Sequence, residues 1–161
     1  TTPKRKRTHR EKLHAKDTAS MASAAGAAAA TEAARGAATF DVEAFLERLG
    51  LPSSAPFPAP TRDFLDAILR AFTERVPFEQ LDVALGRRLS ADPARVFEKL
   101  VRRRRGGICL ENNALLCRGL RALGYDATLC CGRHVIPGGP TQGANHLLCR
   151  VAFSGEGDVI A

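Results

Sequence analysis

The chain has 161 residues, 45% of them hydrophobic, with a formal charge of +7, which leaves room for one or two small domains of ordinary globular composition. No apolar run approaches the roughly 18 residues of a membrane helix, which argues against a membrane span. The charge is uneven: residues 1–20 hold seven Lys/Arg against two acids, so the tail carries +5 and the remainder only +2. That balance, without interleaved aromatic residues, argues against a nucleic-acid-binding body. Five cysteines, an odd number with no disulfide-like spacing, point to a reducing, cytoplasmic setting.

Residues 1–40 read as a disordered basic and Ala-rich tail. The Ala-rich stretch after Met21 offers no large apolar side chain to bury, so packing cannot support a helix there. Lys4-Arg5-Lys6-Arg7 fits nuclear import or nucleic-acid contact, and the Ala-rich part fits an organelle transit peptide of low cationic density. The plainer alternative is that translation starts at Met21, the only methionine.

Beyond the tail, Asp41 is placed as an N-cap, with Phe40 and Phe45 as a hydrophobic staple. Phe45, Leu46 and Leu49 form one apolar face, and Gly50 ends the helix. A proline-rich connection, 52–60, leads to Thr61, which caps a helix whose Phe64, Leu65, Ile68, Leu69 and Phe72 share a stripe. Val76-Pro77 breaks it. Asp92-Pro93 pairs an N-cap with proline at the first helical position and opens a third helix through Val96, Phe97, Leu100 and Val101. Arg102 to Arg105 read as a solvated face at its C-terminus, favoured by the dipole and suited to attract an anion.

The segment Arg105-Gly106-Gly107-Ile108-Cys109-Leu110-Glu111-Asn112-Asn113 carries the chemistry. Two glycines permit a tight turn, and Leu116, Leu120 and Leu123 then repeat at helical spacing up to Gly124. Cys109 therefore falls in a first helical turn, where unpaired N–H groups and the positive dipole end favour a thiolate. Glu111 and Asn113 are placed to satisfy backbone groups around it. Tyr125 to Cys131 and Leu147 to Phe153 read as strands, with 137–143 as a loop between them. His146 stands 37 residues past Cys109, at the mouth of the second strand. A cysteine at a helix start with a distant histidine on a strand suits covalent catalysis. His134 competes weakly for that role. Zinc is disfavoured, because no C-x₂₋₄-C pair exists and Cys130 and Cys131 alternate across a strand.

The run from Val101 to Asn113 resembles the active-site segment of the arylamine N-acetyltransferases, in which Arg-Gly-Gly-aromatic-Cys-x-Glu-x-Asn carries the nucleophile. Val76-Pro77-Phe78-Glu79-Gln80-Leu81-Asp82 is similar to that family's Val-Pro-Phe-Glu-Asn-Leu block, and His146-Leu147-Leu148 to its histidine-led strand. The blocks occur in the family's order over residues 41–161. Ile108 and Gln80 depart from it, neither at a catalytic position. The resemblance implies an α+β fold: a helical bundle over 41–123 carrying the nucleophile, then the first strands of a β-barrel over 124–161, with the C-terminal lid missing.

It further implies a ping-pong N-acetyltransferase. Cys109 and His146 would be catalytic and Phe78 would line the substrate pocket. Acetyl-CoA would be the co-substrate, an arylamine or arylhydrazine the acceptor, and no metal, membrane or nucleic acid would take part. The family's third catalytic residue, an aspartate downstream of the histidine, has its matching run at Asp158-Val159-Ile160-Ala161, where the chain stops. Asp158 sits too early in that run to be assigned the role. A chain ending there is expected to show little or no turnover. Two alternatives stand beside this reading: a papain- or transglutaminase-like cysteine amide hydrolase, and a non-catalytic truncated homologue.

Overall fold

The computed structural model describes residues 40–133, 135, 137–139, 143–153 and 157–161; the readings made on the basic tail and on His134 fall outside them. Helix α1, Val42–Leu49, forms as its end signals dictate. Asp41 Oδ1 accepts from Ala44 N–H at 2.9 Å, and Phe40 meets Phe45 edge-on with ring centroids 5.5 Å apart. Gly50, at φ 66°, closes the helix by donating to Glu47 O. Helix α2, Arg62–Arg75, is capped by Thr61 Oγ1 and buries Leu65, Ile68, Ala71 and Phe72.

Two features were not legible in the periodicity. A single-turn helix α3, Leu81–Ala84, has no buried residue; Glu79 Oε2 holds its first N–H, that of Leu81, at 2.6 Å. The helix opened by Asp92 and Pro93 is α only over Pro93–Phe97 (α4). It widens into a π turn at Glu98–Arg102, where Arg103 N–H reaches Glu98 O at 2.9 Å. Such turns insert one residue into the spiral and recur at functional sites.

Helix α5, Cys109–Ala122, follows and is the spine of the molecule. Strand β1, Asp126–Gly132, pairs antiparallel with β2, His146–Ala152, in a register that sets Gly132 opposite His146 and Asp126 opposite Ala152. Strand β3, Val159–Ile160, adds to the other edge of β2, and Ala161 exchanges two backbone hydrogen bonds with Cys149. Both long strands begin or end within one residue of the limits read from the pattern.

Residues 39–132 and 146–161 form one compact unit, and 133–145 belong to another. Within the first unit, helices and sheet share a single core. Cys149 and Val151, on one face of β2, are fully buried with Phe45, Leu46, Leu65, Ile68, Leu100 and Leu120. Polar ties also fasten the sheet region to the helices: Tyr125 Oη donates to Thr61 O at 2.9 Å, and Arg121 Nε to Ala127 O at 2.6 Å. The other face of β2 carries half-buried His146 and Leu148 and exposed Arg150.

Candidate active site

Cys109 is the first residue of α5 and is half-buried. The turn that delivers it works differently from the expectation. The left-handed residue is Arg104, at φ 53°, while Gly106 and Gly107 answer to close approach. A Cβ on Gly106 would collide with the Pro77 carbonyl oxygen, and one on Gly107 would lie 2.7 Å from Glu111 Oε2. That approach lets the Phe78 segment pair with Gly107: Glu79 N–H donates to Gly107 O at 3.0 Å, and Gly107 N–H to Pro77 O at 3.2 Å. The buried Arg48 fixes the same turn from the other side. Its Nε donates to Leu100 O at 2.9 Å and its Nη2 to the carbonyls of Arg104 and Arg105 at 3.4 Å. Burial, aided by Arg104 and Arg75, lowers the pKa of Arg48.

Glu111 and Asn113 satisfy backbone groups as read. Glu111 Oε2 accepts from Ile108 N–H at 3.1 Å, half of a capping arrangement whose other half isoleucine cannot supply. Asn113 Nδ2 donates both to Cys109 O at 3.2 Å and to Leu147 O at 2.8 Å. One amide thus ties the turn that bears Cys109 to the strand residue that follows His146. Beside it, Asn112 Oδ1 is buried and has no hydrogen-bond partner among the described residues. His146 opens β2, half-buried. Phe78 is 59% exposed, so its placement comes from the backbone bridge to Gly107 rather than from an enclosing pocket. Asp158 pairs with Arg150 at 3.3 Å.

The arginine run is only in part a solvated face. Arg102, Arg103 and Arg104 pair outward with Asp41, Glu98 and Glu47. Arg105 turns inward to the half-buried carboxylates of Glu79 at 2.6 Å and Asp82 at 3.0 Å. Lys99 completes the cluster, at 2.8 Å from Asp82 and 2.9 Å from both Glu111 oxygens. Hydrogen bonds from Lys99 and Arg105 lower the Asp82 carboxyl to about 2. Burial works against the Lys99 ammonium, but hydrogen bonds to Asp82 and Glu111 outweigh it and raise its pKa. The pairings of Lys99, Asp82, Glu79 and Arg48 carry no local signal, because a charged residue looks solvated until its distant partners are placed.

The remaining cysteines do not share this setting. Cys117 and Cys149 are fully buried in the apolar core; the hydrogen bond between them, followed by burial, pushes the Cys149 thiol far up. Among the described residues no group of three His, Cys, Asp or Glu could hold a metal ion, and no helix is long and apolar enough to cross a membrane.

A family model described as N-acetyltransferase matches residues 61–160. The chain belongs to the arylamine N-acetyltransferase family. It is 33% identical over 127 residues to arylamine N-acetyltransferase 2 of Homo sapiens, an overlap of 74% of this chain and 41% of that protein. N-malonyltransferase FDB2 of Gibberella moniliformis is 46% identical over 71 residues, 43% of this chain and 21% of that one. The structure of Mycobacterium marinum arylamine N-acetyltransferase in complex with CoA superposes with a TM-score of 0.66 at 32% identity, covering 75% of this chain and 45% of that one. The chain spans less than half the length of these relatives.

Proposed function

We propose that Cys109 is the nucleophile of an acetyl-CoA-dependent arylamine N-acetyltransferase and that His146 is its proton partner. The observation that carries the reading is the double hydrogen bond of Asn113, which binds the Cys109 turn to the start of the His146 strand. The Cys109 thiolate attacks the thioester carbonyl of acetyl-CoA; the carbon–sulfur bond to coenzyme A breaks, and the leaving thiolate takes a proton from the His146 imidazolium. An arylamine or arylhydrazine then attacks acetyl-Cys109, gives its proton to the imidazole, and releases the thiolate. Phe78, presented beside Gly107, would contact the aromatic acceptor. No acid is assigned as the third member of the triad, since Asp158 is engaged with Arg150.

The test is mass mapping after incubation with acetyl-CoA. The acetyl group is expected on Cys109 and absent in Cys109→Ser; acetylation of Cys117 or Cys131 instead rejects the assignment. Peptide cleavage without acyl labelling would favour the amide-hydrolase alternative. A second donor is favoured by one specific observation, the 46% identity to an N-malonyltransferase over 71 residues. Competition between acetyl-CoA and malonyl-CoA for Cys109, read by the mass of the adduct, decides between the donors.

A further inference from the structure

The site's carboxylates are not equally protected. Asp82 has three cationic neighbours, with Lys99 at 2.8 Å, Arg105 at 3.0 Å and Arg87 at 3.4 Å. Glu79 has Arg105 at 2.6 Å and Lys99 at 4.0 Å. Glu111 is the most buried of the three, its side chain 4% exposed, and among the described residues Lys99 is the one cation on it. It is also the one closest to the chemistry, because its Oε2 holds the N–H of Ile108, the residue before Cys109.

A negative charge in the first turn of a helix is favourable to the helix but hostile to a second negative charge beside it. A Cys109 thiolate is that second charge. The π turn at Glu98–Arg102 carries Lys99, whose donors are shared between Glu111 on α5 and Asp82 on α3.

We propose that Lys99 is a positioning residue for the nucleophile: it neutralises Glu111, so that the carboxylate can anchor the turn before Cys109 without opposing the thiolate. Through Asp82, the same ammonium ties the Phe78 segment to the start of α5. The proposal rests on Cys109 being the nucleophile. Around the Lys99–Glu111 pair stand Glu79, Asp82 and Arg105 on the Lys99 side, Cys109 on the helix, and His146 on the strand that Asn113 holds.

The experiment is the pH profile of iodoacetamide alkylation, mapped to Cys109 in the intact chain. Lys99→Met is expected to move the profile up by about one pH unit, roughly a tenfold loss of rate at neutral pH. Glu111→Gln is expected to move it down, because the carboxylate in the first turn of the helix is then gone while the Lys99 ammonium remains, held by Asp82. Lys99→Met combined with Glu111→Gln should return close to wild type, and Lys99→Arg should stay near wild type. Shifts of the same sign in Lys99→Met and Glu111→Gln would mark general loosening of the turn and overturn the proposal, as would a Lys99→Met profile that superposes on wild type. If Lys99→Met does not fold, Glu111→Gln alone decides, and an unmoved profile there overturns it. A wild-type chain in which Cys109 is no faster than the other cysteines instead defeats the nucleophile reading, and that outcome is visible before any Lys99 variant is made.

Discussion

One helix holds two cysteines in opposite chemical settings. Cys109 opens α5 in a turn lined by Glu111, Asn113 and the ion cluster of Lys99 and Arg105. Cys117, two turns on, is fully buried beside Cys149 in the shared core of helices and sheet. The first end is polar, half-buried and fixed by hydrogen bonds to backbone carbonyls; the second is buried among apolar side chains, its polar contact a hydrogen bond with Cys149. The proposed nucleophile and a core side chain are therefore the same residue type on one helix, and the difference lies in what surrounds the sulfur.

The sharpest break of that comparison is reactivity. Cys109 is expected to alkylate at neutral pH at least about a hundredfold faster than Cys117 or Cys149, the ratio that two pKa units produce. His146→Ala should slow Cys109 by about tenfold and leave the buried pair unchanged. Comparable rates at all three sulfurs would remove the contrast. Packing is the next lever. Leu120 is fully buried at the centre of the core, and Leu120→Ala should cost about 2–5 kcal/mol in denaturant unfolding. A loss under about 1 kcal/mol would mean that the helical and strand parts do not share that core.

Asn113 tests the polar end. Asn113→Ala deprives the Cys109 and Leu147 carbonyls of their donor. A loss of about 0.5–1.5 kcal/mol is expected, the net worth of a hydrogen bond, together with slower alkylation of Cys109. Full stability with unaltered reactivity would show that the bridge between α5 and β2 does not hold the site.

How much of this was legible in the chain depends on the range of the interaction. Asp41, Thr61 and Asp92 announce their helices because a cap bonds within three residues, and the apolar stripes of α2 and α5 name their buried faces directly. The strands were legible from alternation to within one residue. Helix α3 was not, since four residues give no stripe and its cap is the side chain of Glu79. The π turn was hidden because Leu100 and Val101 continue an apolar pattern that looks α-helical. Gly106 and Gly107 stood out for the right reason in kind but the wrong one in detail: they make room for Pro77 and Glu111, while Arg104 takes the left-handed conformation. Least legible was the ion cluster, because Lys99 meets Asp82 and Glu111 only after three elements have packed. Cys109, His146, Glu111 and Asn113 were visible as motif residues, yet the Asn113 bond to Leu147 that joins two of the motif blocks has no local signature.

The smallest expected effect concerns Asp82, and it separates the ion cluster from the core by pH. Hydrogen bonds from Lys99 and Arg105 lower its carboxyl from 3.8 to about 2. The unfolded chain therefore binds that proton more readily than the folded one, and folding gains from the ionised carboxylate. That gain is complete above pH 3.8 and is lost as the pH falls through the folded value near 2. Asp82→Asn removes the titrating group, so the variant should be somewhat less stable than wild type at neutral pH and should lose less on acidification across that window. The two acid-unfolding curves should converge at the acid end. Leu120→Ala, whose defect involves no titrating group, should instead stay displaced from wild type by a constant amount over the same range. If Asp82→Asn runs parallel to wild type throughout, the carboxylate is not held by Lys99 and Arg105 in solution, and the cluster beside Cys109 is looser than its distances imply.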